Sequence, residues 1–314
     1  MAERPCVPRV AWVDVTKGLA MLFVMSNHCG FPYGPLCYFV VPAFFILAGV
    51  MLKPVEDFSR FALLKVRRLM VPYVVWNLLF MVIVLPGYFF TDGLLLSLRR
   101  IAVGMAESVN YPLWFLKALL WAFLIVGLLV SRRAFSGTVR GSLVLGGMVA
   151  AALFTGSIWW ERWISATDLP QGVIAASLLA AGYMFREPLM RFMSRLGFRK
   201  SLAYTGIALA VFVLGVRGDN HFHTGYMMHP RAFYPSVAVS FAAGALLSKT
   251  LSFWKFFNPL EYIGRNSMNY FCIHANVVCL AGYKGWTTLV VTIIVTTAVN
   301  VALQKFKGFF WVKR

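Results

Sequence analysis

"DVTKGLAMLFVMSNHCG", residues 14–30, has the length and apolar content of one membrane-spanning helix, yet it contains three ionisable side chains. At about 100° per residue, the eleven-residue step from Lys17 to His28 ends about 20° past whole turns, so both lie on one face, about 16 Å apart. Asp14 lies on that face and can pair with Lys17 at i, i+3. Because charges inside a membrane are costly and usually mark a site, this face predicts function. The alternative is a structural Asp–Lys pair with an interfacial histidine.

The composition is that of an integral membrane protein. Of 314 residues, 60% are hydrophobic and 13% are charged, whereas soluble proteins are about 45–50% apolar and about 25% charged. The apolar residues form runs close to the length of about 20 residues that a membrane-spanning helix needs. We therefore predict an all-α, polytopic fold of about ten transmembrane helices, at about 10–29, 36–52, 69–90, 112–131, 142–160, 172–185, 201–216, 232–248, 267–282 and 286–304.

The distribution of basic residues predicts the orientation of these spans. With the N-terminus in the cytoplasm, most of the 30 Lys and Arg residues fall in cytoplasmic segments, as the positive-inside rule requires. Both termini are then cytoplasmic, and residues 1–314 form a single membrane domain with an interfacial helix near 93–107. The same distribution accounts for most of the net charge of +19 without a nucleic-acid partner. Membrane lipids are the expected surroundings, and the sequence leaves the oligomeric state open.

Two further helices contain polar side chains that can line a substrate pocket. Trp114 and Lys117 share a face of the fourth predicted span at i, i+3, and Lys117 is the second cation within a span. Ser267 and His274 lie two turns apart on one face of the ninth. We predict a substrate-binding role for all four residues. For His274, a packed and hydrogen-bonded histidine is an equal alternative.

The predicted outer loop RGDNHFHTGYMMHPR, residues 217–231, offers a different type of site. It holds Asp219, His221, His223 and His229, a set of side chains that can bind a metal ion. A solvated loop or an acceptor-recognition surface fits the sequence better than a metal site. We therefore predict no metal.

Five motifs, in order along the chain, resemble those of acyltransferase family three, and in particular its fucose 4-O-acetylase-like branch. Members of this family are multi-spanning enzymes that move acyl groups, often acetyl, onto sugars at the far face of a membrane. The resemblance covers residues from about 9 to 130 and from 258 to 275. It is carried by WVDVTKGLAMLFVMSNH (12–28), VPAFFILAGVML (41–52), KVRRLMVPYVVW (65–76), YPLWFLKALL (111–120) and LEYIGRNSMNYFCIH (260–274).

The resemblance implies roles for individual residues. His28 matches the histidine on which family activity depends, which implies a general base, and imidazole titrates in the required range. Lys17, paired with Asp14, matches the basic partner that is most often arginine; lysine lacks the bidentate fork of arginine. Lys65 and Arg68 match a basic pair expected to bind the phosphates of coenzyme A. For Lys65 the alternative is simple anchoring on the cytoplasmic side.

Together these features predict a membrane O-acyltransferase, with acetyl-CoA as acyl donor and co-substrate. The acceptor would be a hydroxyl of a glycan or glycolipid at the outer face of a bacterial cytoplasmic membrane, as in the modification of cell-envelope polysaccharide. A transporter or flippase is the alternative, because several spans with intramembrane charges also suit alternating access. The sequence does not identify the acceptor or the position acylated.

Overall fold

A computed structural model of the protein describes residues 10–32, 34–85, 93–158, 167–217, 227, 229–282 and 285–305. Within these ranges all regular structure is helical. The helices are α1 Ala11–His28, α2 Cys37–Val50, α3 Phe58–Ile83, α4 Leu94–Ala106, α5 Trp114–Ser131, α6 Thr138–Gly156, α7 Leu169–Met184, α8 Arg186–Arg195, α9 Phe198–Gly215, α10 Pro230–Leu251, α11 Asn258–Arg265, α12 Ser267–Ala281 and α13 Trp286–Lys305. Short 3₁₀ turns precede α2, α5 and α11.

The prediction of an all-helical membrane protein is confirmed, since each of the ten apolar stretches contains one of these helices. By length and composition, 5 helices in the described part of the chain can cross a membrane, and up to 7 if each bent pair is one span. The count of ten spans therefore stays a prediction. Cytoplasmic termini also stay a prediction, because residues 1–9 and 306–314 lie outside the described residues.

Two helices differ in detail from the apolar pattern. The third predicted span begins well before its apolar run, at Phe58, because the Asp57 carboxylate caps the helix by accepting the Arg60 N–H at 3.0 Å. The amphipathic segment near 93–107 does form a helix, α4. Its position at the membrane interface stays a prediction.

The first helix lies at the centre of the bundle. It packs against α2, α10, α11, α12 and α13, while α7 packs against α2, α5 and α6. The close α2–α7 contact depends on two glycines, since a Cβ at Gly49 would overlap the Leu179 carbonyl and one at Gly182 would overlap that of Ile46. Small residues of this kind allow membrane helices to approach each other closely.

A second pair of glycines fixes the end of α1 that carries Asp14. The chain bends by 117° between α10 and the segment Lys255–Arg265, which brings α11 across α1. A Cβ on Gly264 would overlap the Asp14 carbonyl, and one on Gly18 would overlap the Leu260 carbonyl. The backbones of α1 and α11 therefore touch directly, and this contact sets where α12 begins.

We expect Gly264→Ala to destabilise the protein, because neither backbone at this contact can yield to an added methyl group. Overpacking of this type costs about 1–3 kcal/mol. Thermal unfolding of the purified protein in detergent would show a midpoint several degrees lower. Gly206→Ala on α9 is the matched control, since a Cβ there meets no atom within 4 Å. Equal midpoints for the two variants would contradict the proposed contact.

Candidate active site

Two histidines from different helices meet at one end of the bundle. His28 is the last residue of α1, and His274 lies in the middle of α12. Their ring centroids are 5.1 Å apart, with the rings tilted by 53°. His28 is half-buried, whereas His274 is fully buried. The structure thus brings together a predicted base and a predicted substrate-binding residue that are far apart in the sequence.

The end of α1 that carries His28 is held by the start of α13. The Gly285 N–H donates to the Cys29 carbonyl at 2.7 Å, and the Cys29 thiol lies 3.9 Å from the Thr292 hydroxyl. The Asn27 side-chain amide donates to the Phe31 carbonyl at 3.2 Å, which closes the turn after the helix. His28 therefore lies between two residues, Asn27 and Cys29, that are both held by hydrogen bonds or polar contacts.

Aromatic side chains from three helices line the space beside the histidine pair. The Phe271 ring lies 5.8 Å from the His274 ring and 4.6 Å from the Phe115 ring, centroid to centroid. Phe44 and Phe45 of α2 complete the cluster, at 5.8 Å and 4.9 Å from Phe115. The cluster thus places apolar side chains next to His274, and in such low-dielectric surroundings polar interactions are stronger.

Tyr111 is a third ring at this site, and the sequence reasoning did not single it out. It lies in the turn before α5, with its ring centroid 6.4 Å from that of His28. Polar contacts hold the chain that leads to it: the Tyr73 hydroxyl contacts the Met105 carbonyl and the Ser108 hydroxyl, and the Asn110 N–H donates to Asn77. Its place in YPLWFL, just before a predicted span, was the available signal.

Lys117 forms an ion pair that its position in the sequence does not predict. Its ammonium lies 2.7 Å from the carboxylate of Asp168 and donates to the Ala106 carbonyl at 2.8 Å. Asp168 precedes α7 with φ +54°, a left-handed conformation that aspartate tolerates. Burial raises the pKa of Asp168 to about 6, against the opposing attraction of Lys117. The carboxylate also interacts electrostatically with Tyr111, so the pair borders the site.

The polar residues at the other end of α1 form a separate ionic cluster. Lys17 lies 3.7 Å from the Asp14 carboxylate, as the i, i+3 spacing predicts. The Arg265 guanidinium, from the end of α11, lies 3.6 Å from the same carboxylate and also pairs with Glu261. Lys17 and His28 are therefore parts of two groups at opposite ends of one helix, about 16 Å apart along its axis.

The predicted donor-binding residues lie on α3. The Lys65 ammonium sits over the Phe123 ring of α5, 3.3 Å from its centroid, and Arg68 is exposed one turn later. A cation–π contact of this kind holds the lysine in place whether or not it binds a ligand. Both the phosphate role and the anchoring alternative are compatible with this position.

The remaining predicted substrate-binding residues are less close to the histidine pair. Trp114 is buried at the start of α5, three residues after Tyr111. Ser267 begins α12, about 10 Å along the helix axis from His274, at the end near Arg265. The structure does not bring Ser267 to the two histidines, and substrate binding by Trp114, Lys117, Ser267 and His274 stays a prediction.

The histidine-rich segment 217–231 lies mostly outside the described residues. Asp219, His221 and His223 lie outside the described residues, and His229 is exposed just before α10. Among the residues that are described, no group of three or more His, Cys, Asp or Glu side chains is placed to hold a metal ion.

An all-helical bundle with several helices long and apolar enough to cross a membrane is the architecture of an integral membrane protein. The sequence profile of the acyltransferase domain of acyltransferase family three matches residues 10–304. The chain therefore belongs to this family and is a membrane acyltransferase, as the resemblance predicts. None of the curated proteins compared with the chain matches it.

We expect Lys117→Met to be strongly destabilising at pH 8, by about 3–5 kcal/mol, because it leaves a buried carboxylate unpaired. The pKa of Asp168 then rises above about 6, further from its ordinary value of 3.8. An acid with a raised pKa takes up its proton more readily when folded, so stability falls as pH rises between these two values. Lowering the pH from 8 to 5 should therefore raise the free energy of unfolding of Lys117→Met by at least about 1.4 kcal/mol.

Chemical unfolding at both pH values measures this effect. The double variant Lys117→Met/Asp168→Asn, which removes both charges, should be more stable than Lys117→Met at pH 8 and lose the added pH dependence. A double variant as unstable as the single one would show that the unpaired Asp168 carboxylate is not the cause of the destabilisation.

Proposed function

We propose that the protein transfers an acetyl group from cytoplasmic acetyl-CoA to a hydroxyl of a glycan or glycolipid at the outer face of a bacterial cytoplasmic membrane. The observation that carries this proposal is the position of His28: it ends α1 beside a second imidazole, whose own ring packs against Phe271, in a chain that belongs to an acyltransferase family. O-acetylation of a cell-envelope polysaccharide is the process this reaction would serve.

In the proposed reaction His28 acts as general base. It takes the proton of the acceptor hydroxyl as the oxygen attacks the thioester carbonyl, which forms the new C–O bond. The C–S bond then breaks, and the proton passes from His28 to the coenzyme A thiolate. No net proton remains on the enzyme, so the same histidine serves as base and then as acid.

The two ends of α1 suit a donor and an acceptor that arrive from opposite sides. The predicted cytoplasmic end carries Lys17 in its ionic cluster, and Lys65 and Arg68 lie on α3, where cations would hold the phosphates of coenzyme A. The thin pantetheine arm would extend along the bundle toward His28. Trp114 and Lys117, near Tyr111, would border the acceptor site.

A transporter or flippase is the alternative from another class. Family membership favours group transfer, and acetyl transfer distinguishes the two directly. A transporter would move a labelled glycan across vesicles without any acetyl-CoA and would form no acetylated product.

We expect His28→Ala to lower acetyl transfer by about a hundredfold or more, because general base catalysis contributes about 10²–10⁴ in rate. The measurement uses purified protein in vesicles, labelled acetyl-CoA added to one side, and candidate glycans. The acceptor would be identified first by mass spectrometry of surface polysaccharides from cells with and without the gene.

Arg199→Ala is the control for His28→Ala, because Arg199 is an exposed residue on α9 with no predicted role. It should retain the wild-type rate. Full transfer by a folded His28→Ala protein would rule out His28 as the base.

We expect the double variant Lys65→Met/Arg68→Gln to raise the KM for acetyl-CoA about tenfold, with little change in kcat, because phosphate contacts stabilise the bound donor and the transition state equally. Arg67→Gln is the control, since Arg67 is an exposed cation on the same helix. An equal rise in the KM for acetyl-CoA in the double variant and in Arg67→Gln would mean that Lys65 and Arg68 act only as cytoplasmic anchors.

A further inference from the structure

His274 is a buried imidazole whose protonation is fixed by its own helix. Its Nδ1 atom lies 2.9 Å from the Tyr270 carbonyl oxygen. A carbonyl can only accept a hydrogen bond, so Nδ1 carries a proton and donates it. A second proton would place an unpaired charge in a fully buried site, at high cost. His274 is therefore the neutral tautomer, with a lone pair on Nε2.

This Nε2 atom is buried and has no hydrogen-bond partner among the described residues. Buried acceptors are rarely left without a donor, and the exceptions call for an explanation. Two rings lie close to His274: Phe271, which has no N–H, and His28, which does. Two imidazoles joined by an N–H···N hydrogen bond of ordinary length have centroids roughly 5 Å apart. The observed separation of 5.1 Å allows this bond, although the two rings, tilted by 53°, do not form it in the structure.

We propose that His274 is a positioning residue for His28, and that its Nε2 atom accepts a hydrogen bond from a ring N–H of His28. The proposal rests on the proposed function, in which His28 is the base. It gives His274 a role in holding the catalytic ring rather than in binding the substrate.

The chemical consequence appears when His28 takes up the proton of the acceptor hydroxyl. The protonated ring then carries an N–H on each nitrogen, and one of them faces the His274 lone pair in a charge-assisted hydrogen bond. This bond orients the base and stabilises its charged form, as the third group does in other base-activated sites. His274 gains and loses no proton in the cycle, because its own N–H stays on the Tyr270 carbonyl.

The helix that carries His274 is firmly held. The Tyr270 hydroxyl lies 2.7 Å from the Thr297 hydroxyl, and the Asn269 amide donates to the Asn300 oxygen at 2.6 Å, both across to α13. The same α13 anchors the end of α1 through Cys29. Both histidines are therefore fixed to one helix, which keeps the distance between their rings constant.

Nitrogen NMR of the protein with ¹⁵N-labelled histidine tests the hydrogen bond without any substrate. The chain has 5 histidines, so His274→Gln identifies the His274 signals. We expect the Nδ1–H tautomer, and an Nε2 signal that shifts when His28 is replaced in His28→Ala. His229→Ala should leave that signal unchanged. The opposite tautomer, or a signal that does not respond to His28→Ala, overturns the proposal.

Kinetics of three α12 variants test the positioning role. His274→Leu fills the space without an acceptor and should lower kcat about a hundredfold, with both KM values within about twofold. His274→Gln can place a carbonyl oxygen near the Nε2 position and should recover at least tenfold of that loss. Asn276→Leu removes a second buried polar side chain from the same helix and should keep kcat within about twofold.

The outcomes separate this proposal from the proposed function. Wild-type kcat in His274→Leu, or equal losses in all three variants, overturns the positioning role. If the wild-type protein transfers no acetyl group while the His274 signal still depends on His28, the hydrogen bond is supported and only the proposed reaction is wrong.

Discussion

The packing of α11 and α12 around α1 is tied to the pairing of charges at the Asp14 end of α1. Asp14 and Lys17 lie within an apolar bundle, where an isolated charge is costly, and Arg265 reaches Asp14 only because α11 lies directly against α1. Gly18 and Gly264 allow that approach. The 117° bend before α11 places the Arg265 guanidinium beside the Asp14 carboxylate.

The same contact explains why two histidines meet at the other end. Arg265 and His274 are carried by one continuous stretch of chain, as are Asp14 and His28. Because Arg265 meets Asp14 and His274 meets His28, α12 follows α1 in the same direction. The Asp14–Arg265 ion pair therefore helps to set the register of α12 against α1, which places His274 beside His28. A shift of α12 by one residue would turn His274 by about 100° away from His28.

The sequence predicted the features that are set locally. Hydropathy located a helix in every apolar stretch, and helical periodicity predicted the Asp14–Lys17 pair and the common face of Lys17 and His28. Neither hydropathy nor helical periodicity predicts which residues pair over long distances in the sequence. The partner of Lys117 is Asp168, in a segment between two spans, and nothing local to either residue specifies that contact. Tyr111 and the 5.1 Å approach of the histidines likewise follow from packing among α1, α5 and α12.

The ion pairs around Asp14 explain why a lysine can stand at position 17, where the resemblance leads us to expect arginine. Asp14 lies between two cations, and one of them, Arg265, is already a guanidinium. With Glu261 the cluster holds two carboxylates and two cations and is neutral as a whole. A lysine at position 17 adds a compact point charge with freely rotating donors. A second planar guanidinium there would compete with Arg265 for the Asp14 carboxylate. The guanidinium of the cluster is supplied from α11, where Arg265 reaches Asp14 through Nε and Glu261 through a terminal nitrogen.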